Sequence, residues 1–330
     1  MKFIDCIEVN NRFFLAPMAG VTDYAFRTVC ARQGAALTYT EMVSAKALCY
    51  SDKKTATLLD ISDEHRPCFA QIFGSEPDIC ARGARLALEI SRADGIDINM
   101  GCPMPKIVKN GEGSALMRDP DRIYDIVKAV KAAVDVPVTV KIRAGYDGEH
   151  INACDAAVAA QSAGAQAVGV HGRTREQLYT GKSDRSIIAA VKKAVNVPVI
   201  ASGDAFSAQD CLDIIGETNA DFVMIARGAQ GNPHIFRQCI ALSEGRELPA
   251  LTTESLMDML IQQAEIACLH KGEKRAIAEL RKHTLWYLGN LIGSKTLKVK
   301  ASMINSLDEL KTVCCMAIQE GLQPRGVTEP

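Results

Sequence analysis

Between residues 12 and about 240, short β-rich apolar runs alternate with alanine-rich stretches of helical period, a pattern that restricts this chain to parallel strands joined by crossover helices. Eight strands are expected, at residues 12–17, 37–41, 68–73, 95–99, 137–142, 167–171, 198–201 and 221–226. Several are apolar on both faces, as strands covered by helices must be. Between them, residues 120–134 place Ile123, Ile126, Val127 and Val130 on one helical face and Asp121, Arg122, Asp125, Lys128 and Lys131 on another. The joints AVDVPV and AVNVPV reuse one helix-to-strand solution. No GxGxxG follows the first strand, as an open dinucleotide-binding sheet would often show, so the expected fold is α/β, a closed (β/α)8 TIM barrel.

After residue 240 the strands disappear, and residues 252–269, 274–291 and 307–320 read as an all-helical C-terminal domain. The link ELPALTT, with Pro249 and a capping Thr252 or Thr253, places the boundary so that 1–245 is the barrel and 246–330 the helical domain. A chain of 330 residues is long enough for both. Asp5, Glu8, Asn10, Asn11 and Arg12 interrupt the N-terminal apolar residues, so no leader is expected, and no segment nears the roughly 20 apolar residues of a membrane span. Twelve scattered cysteines without a CxxC pair suggest neither a metal centre nor a disulfide framework. A cytoplasmic monomer without metal or membrane attachment is expected.

In such a barrel the chemistry sits where strands end. The strand ends carry APMAG (16–20), QIFG (71–74), NMGCP (99–103), Lys141 and Arg143, HGRT (171–174), SGD (202–204) and RGA (227–229). Gly203 and Gly228, with Arg227, suit a phosphate held by backbone N–H groups in the last two loops. Lys141 stands in an otherwise apolar strand, where an unpaired ammonium is costly. Either an electron-rich group such as a reduced flavin faces it, or it points outward or pairs with a core carboxylate. Cys102, on a rim loop, is expected to be the exposed cysteine and could act as nucleophile or proton donor. His171, beside Arg173 at a strand end, suits either a site role or a satisfied core histidine.

These stretches, with DINMGCPMPKIVKNGEGSALM (97–117), VGVHGRTREQLYTGK (168–182), MIARGAQGNPHIF (224–236) and RKHTLWYL (281–288), resemble the tRNA-dihydrouridine synthases, most closely their bacterial B-type branch, over nearly the full length. The resemblance implies an FMN barrel followed by a tRNA-binding helical domain, using NADPH to reduce the C5–C6 bond of a tRNA uridine. It places Pro17, Met18, Ala19, Gln71 and Lys141 against the flavin, His171 beside it, and Ser202, Gly203, Asp204, Ala226 and Arg227 around its phosphate. Asn99 and Arg143 would face the uracil, and Cys102 would protonate C5, which selects proton donor from the two roles left open. Ser202 stands where the family usually has Asn, Ala226 where it often has Gly, and Ala301 and Ser302 where arginines are common. Lys298 and Lys300 are the expected substitutes on tRNA, and Lys106, with Lys109, would add contacts at the barrel mouth. The segment 271–300 carries eight Lys or Arg against two acids, with Trp286 and Tyr287 as expected aromatic surface. A flavin barrel acting on a free pyrimidine is the alternative enzyme, and the basic helical tail argues against it.

Overall fold

The computed structural model describes residues 1–4, 6–50 and 52–325; Asp5 and the last five residues of the expected helical domain lie outside them. The strands are β1 (Lys2–Ile4), β2 (Ile7–Glu8), β3 (Phe13–Leu15), β4 (Thr38–Tyr39), β5 (Val43–Ser44), β6 (Cys68–Phe73), β7 (Gly95–Asn99), β8 (Val138–Arg143), β9 (Val168–His171), β10 (Val199–Ser202) and β11 (Phe222–Ile225). All ladders from β3 onward are parallel, in the order β3-β11-β10-β9-β8-β7-β6-β4. Between β3 and β4 the ring is joined by two backbone hydrogen bonds, from Ala36 N to Phe13 O and from Leu15 N to Leu37 O, both 2.9 Å. The eight-stranded barrel expected from the sequence is therefore present.

The second barrel position departs from the expected single strand at 37–41. It is split into β4 and β5, both pairing with β6: after Thr40, whose N–H still reaches Phe69 O and whose Oγ1 takes the Gln71 N–H, Glu41 turns its carboxylate to the N–H of Gly20. A second departure is the hairpin of β1 and β2, which closes the N-terminal end of the barrel. Phe3 packs edge-on against Phe14 and Phe222, at centroid distances of 5.1 and 5.0 Å. Strands of two or three residues are too short for a period to be read from sequence.

Around the barrel run α1 (Tyr24–Arg32), α2 (Ala45–Cys49), α3 (Lys53–Ala56), α4 (Pro77–Ser91), α5 (Pro105–Lys109), α6 (Pro120–Ala133), α7 (Ala153–Ser162), α8 (Arg185–Ala194), α9 (Ala208–Thr218) and α10 (Ile235–Ser243). Helix α6 shows why they form: Asp119 accepts from Arg122 N at 3.0 Å, Pro120 occupies the first turn, and Ile123, Ile126, Val127 and Val130 are fully buried against the sheet.

Four helices follow, α11 (Thr253–Lys271), α12 (Glu273–Gly289), α13 (Lys295–Ala301) and α14 (Leu307–Gln319). Thr252 caps α11 by accepting from Ser255 N at 3.1 Å. These helices share a core of Leu256, Leu260, Ile277, Leu280, Leu288 and Leu310, which also takes in Ala25 and Val29 of α1. They are seated on the barrel mouth: Gly231 lies so close to α12 that a Cβ there would stand 2.4 Å from the carbonyl carbon of Trp286, and Asn290 Nδ2 donates to Gly231 O at 3.0 Å. Among the described residues no helix is long and apolar enough to cross a membrane, and no group of three or more His, Cys, Asp or Glu could hold a metal ion.

Candidate active site

Strand register places the chemistry. Asn99 is paired with Lys141, Arg143 with His171, and His171 with Ser202, so neighbouring strands deliver these side chains to one level at the C-terminal mouth. There they line a cavity of about 430 Å³. Its walls also include Pro17, Met18, Ala19, Cys102, Gly203, Asp204, Ala226 and Arg227. Gln71, Lys106, Lys298 and Lys300 are not among its lining residues.

Gln71 lies one layer behind, fully buried, donating to Asp97 Oδ2 at 2.7 Å and accepting from Asn99 Nδ2 at 3.0 Å. Its task in the apoprotein is to orient Asn99. That carboxamide in turn accepts from Gly101 N at 3.1 Å and from Cys102 N at 2.9 Å, which fixes the backbone of the cysteine loop. From the other side Ser114 grips the Cys102 carbonyl through both N–H and Oγ, at 3.0 and 2.9 Å. Cys102 is not the exposed cysteine that its loop position suggested: it is 9% exposed, whereas Cys6 and Cys315 are the exposed ones. The loop turns the thiol inward, toward the Met104 backbone N–H. Burial raises the Cys102 thiol above its ordinary pKa, against the opposing pull of the Met104 N–H, Arg143 and Lys141. The group is therefore a thiol, able to give a proton.

Lys141 makes no hydrogen bond and no ion pair among the described residues. The nearby core carboxylate, Asp97, attracts Lys141 electrostatically but accepts its hydrogen bonds from Gln71 and from Thr139 Oγ1, the latter at 2.6 Å. Burial, then the neighbouring Arg143, pull the ammonium down to about 8. Arg143 is itself tied in place, donating to Gly101 O at 2.8 Å and Thr174 O at 2.7 Å. His171 is held neutral, by burial first and by four surrounding cations, Lys141, Arg143, Arg173 and Arg227. A positive, partly unsatisfied floor of this kind fits an electron-rich planar group better than a cation.

The opposite end fits a phosphate. Gly203 has φ of +119°, and a Cβ there would stand 2.4 Å from Ser183 Oγ, so only glycine leaves this backbone free to face the cavity. Asp204 points away from that role: its carboxylate is held by Arg173 through two 2.8 Å bonds and reaches Arg227 Nη2 at 3.3 Å. Only its backbone N–H can serve a phosphate, while its side chain sets Arg227. Two residues that were not singled out complete this end. Tyr179 and Phe206, both exposed, flank the Arg227 guanidinium at 4.8 and 5.0 Å.

The basic helical segment is partly consumed internally. Lys271 pairs with Asp23 and Glu279, both at 2.6 Å, Arg275 pairs with Glu279, and Arg281 donates to Ile304 O. Tyr287 is fully buried with its hydroxyl on Gln263, so it offers no surface, and Trp286 is partly buried against the barrel core. Ala301 is also fully buried, so a long cation would not fit there without repacking. Lys298 and Lys300 stand on α13, half-buried and exposed.

A dihydrouridine synthase family model matches residues 14–323. Among curated relatives, tRNA-dihydrouridine synthase B of Pseudomonas aeruginosa is 40% identical over 299 residues, covering 90% of each chain. Its counterpart from Shewanella oneidensis is 42% identical, covering 85% of this chain and 87% of that one. Solved structures share the fold at low identity. An old yellow enzyme homologue from Zymomonas mobilis superposes with a TM-score of 0.52 at 14% identity, over 77% of this chain and 94% of that one. A 2-naphthoyl-CoA reductase gives 0.55 at 12% identity, over 72% of this chain and half of its own length. The parallel barrel and a family match spanning residues 14–323 agree, and the chain belongs to the dihydrouridine synthase family.

Proposed function

We propose that the protein reduces uridine in tRNA to dihydrouridine, with FMN resident in the mouth cavity and NADPH as reductant. One observation carries the assignment of roles: the Cys102 thiol, whose pKa burial raises, and Lys141, which makes no hydrogen bond or ion pair among the described residues, line the same cavity, whose far end is a glycine and arginine cradle. Gly203, Gly228 and Arg227 would hold the phosphate, with the backbone of Ser202, Asp204 and Ala226, and Pro17, Met18 and Ala19 would pack on the ring. Lys141 would lie where negative charge on that ring needs a cation. FMN, when bound, supplies a hydride drawn from NADPH to C6 of the uracil.

Cys102 then gives its Sγ proton to C5, so the C5–C6 double bond becomes a single bond with one hydrogen added at each carbon. The thiolate left behind is favoured by Arg143 and Lys141, the two cations that already lower its pKa, and regains a proton from solvent. Arg143 and Asn99 flank the place where the uracil must enter, with Asn99 fixing the Cys102 loop. Residues 1–245 would form this catalytic barrel and 246–330 the tRNA-binding part, using Lys298 and Lys300, with Lys106 on the exposed face of α5 at the mouth. A uridine must leave its stack to reach Cys102.

The test is incubation of the protein with NADPH and unmodified tRNA, followed by mass spectrometry of digested nucleosides. Dihydrouridine is expected from tRNA and not from free uridine; product from free uridine alone would favour the small-molecule alternative. Cys102→Ala is expected to lower the rate by about 10² or more, and a rate equal to wild type would remove Cys102 as the acid.

A further inference from the structure

Three loops that follow consecutive barrel strands meet at Tyr146. The Arg118 guanidinium carbon lies 3.5 Å from the centre of its ring and that of Arg175 5.1 Å from it. Arg118 ends the loop after β7, Tyr146 follows β8, and Arg175 follows β9, so all three stand on the catalytic face. Tyr146 is buried, Arg175 half-buried and Arg118 exposed. The loops are stitched together: Arg175 N donates to Gly145 O at 3.0 Å and Glu176 N to Tyr146 O at 3.2 Å, and the Asn152 side chain donates through Nδ2 to Met117 O at 2.6 Å.

Neither guanidinium has a carboxylate within 4 Å among the described residues, and Arg175 Nε is buried with no hydrogen-bond partner. The arginines of the cavity are different: Arg173 and Arg227 both engage Asp204, and Arg143 is spent on carbonyls. The nearby Asp147 carboxylate is taken by His150. Stacking on an aromatic face fixes a guanidinium plane yet leaves its in-plane N–H fork free, which suits a doubly accepting anion. Two guanidiniums held over one ring, with no carboxylate within 4 Å among the described residues, leave this part of the catalytic face positive.

We propose that Arg118 and Arg175, braced by Tyr146, form a clamp for a phosphodiester of the RNA strand beside the reduced uridine. This rests on the tRNA reading above. The clamp is joined to the reaction centre at both ends: Arg118 belongs to the loop whose Ser114 grips the Cys102 carbonyl, and Arg175 follows Thr174, whose carbonyl holds Arg143. A phosphate seated there sets the strand's register relative to Cys102. The other source of a phosphate is the reductant, through a phosphate on its ribose.

Equilibrium binding of tRNA to the flavin-loaded protein, measured over a salt series, tests the clamp. Arg118→Gln and Arg175→Gln are each expected to weaken tRNA binding about three- to tenfold and to reduce the slope of log affinity against log salt by about one. Lys193→Gln, on an exposed outer position of α8, is expected to leave the slope at its wild-type value. Arg118 is exposed, so its variant stays informative if Arg175→Gln folds poorly. A wild-type slope in Arg118→Gln overturns the clamp. So does a change confined to KM for NADPH with NADH unaffected, which would assign the site to the reductant. Absence of dihydrouridine from wild-type reactions overturns the activity instead, so the two readings fail separately.

Discussion

Replacing Lys141 with methionine should stabilise the flavin-free fold while weakening flavin binding. The folded protein holds this ammonium at about 8, against an ordinary 10.5. Below pH 8 the side chain is charged in both folded and unfolded chains, so the native state bears the cost of a buried charge whose attraction to Asp97 does not offset its desolvation. Between pH 8 and 10.5 the unfolded chain binds more protons than the native one, and wild-type stability must rise with pH. Integration across that window gives a wild-type deficit of about 3 kcal/mol at pH 7, falling to less than half of that at pH 9.5. Water reaching Nζ through the cavity trims both figures in the same direction. Methionine keeps the length and removes the charge, so urea denaturation of flavin-stripped protein should show Lys141→Met more stable at pH 7, with the gain more than halved at pH 9.5. Flavin titration of the same variant should show weaker binding, since the cation facing the ring is gone. A variant no more stable than wild type at pH 7, or a gain independent of pH, would refute the claim that the Lys141 charge is under-compensated in the flavin-free fold.

Three further outcomes follow from the same geometry. Gly203→Ala places a Cβ against Ser183 at a φ that alanine resists, and should cost about 2–4 kcal/mol together with retention of flavin through purification, read by thermal melting and absorbance; an alanine variant that melts and binds like wild type would show that the loop can relax. Asp204→Ala strips the buried Arg173 of its two-pronged partner and should destabilise by about 3–5 kcal/mol, with flavin loss because Arg227 is no longer set; a melting temperature near wild type would count against it. Because burial raises the Cys102 thiol, iodoacetamide at pH 7 should label Cys102 more slowly than the exposed Cys6 and Cys315, with the rate climbing above pH 9, as peptide mass spectrometry can follow; prompt labelling at pH 7 would mean a thiolate and a different role.

The barrel was legible in the chain, because alternation of strand and helix periods is a local property and a parallel strand covered on both faces must be apolar throughout. The sequence also located the catalytic mouth, since residues directly after strands have nowhere else to go, and it set Cys102, Lys141, Gly203 and Arg227 there. Tertiary structure decided what each group touches. Gln71 turns inward to Asp97, twenty-six residues on, and so braces Asn99 rather than lining the cavity. Asp204 answers Arg173 thirty-one residues away, and Lys271 is neutralised by Asp23 at a separation of 248. Cys102 is covered because Asn99 and Ser114 hold its loop inward, and Tyr287 because α12 packs on its neighbours. Period and propensity act over a few residues, whereas ion pairs and burial are set by which crossovers bring distant loops together. The meeting of Arg118, Tyr146 and Arg175 on three successive loops is such a product of barrel closure, with no pattern in the chain to announce it.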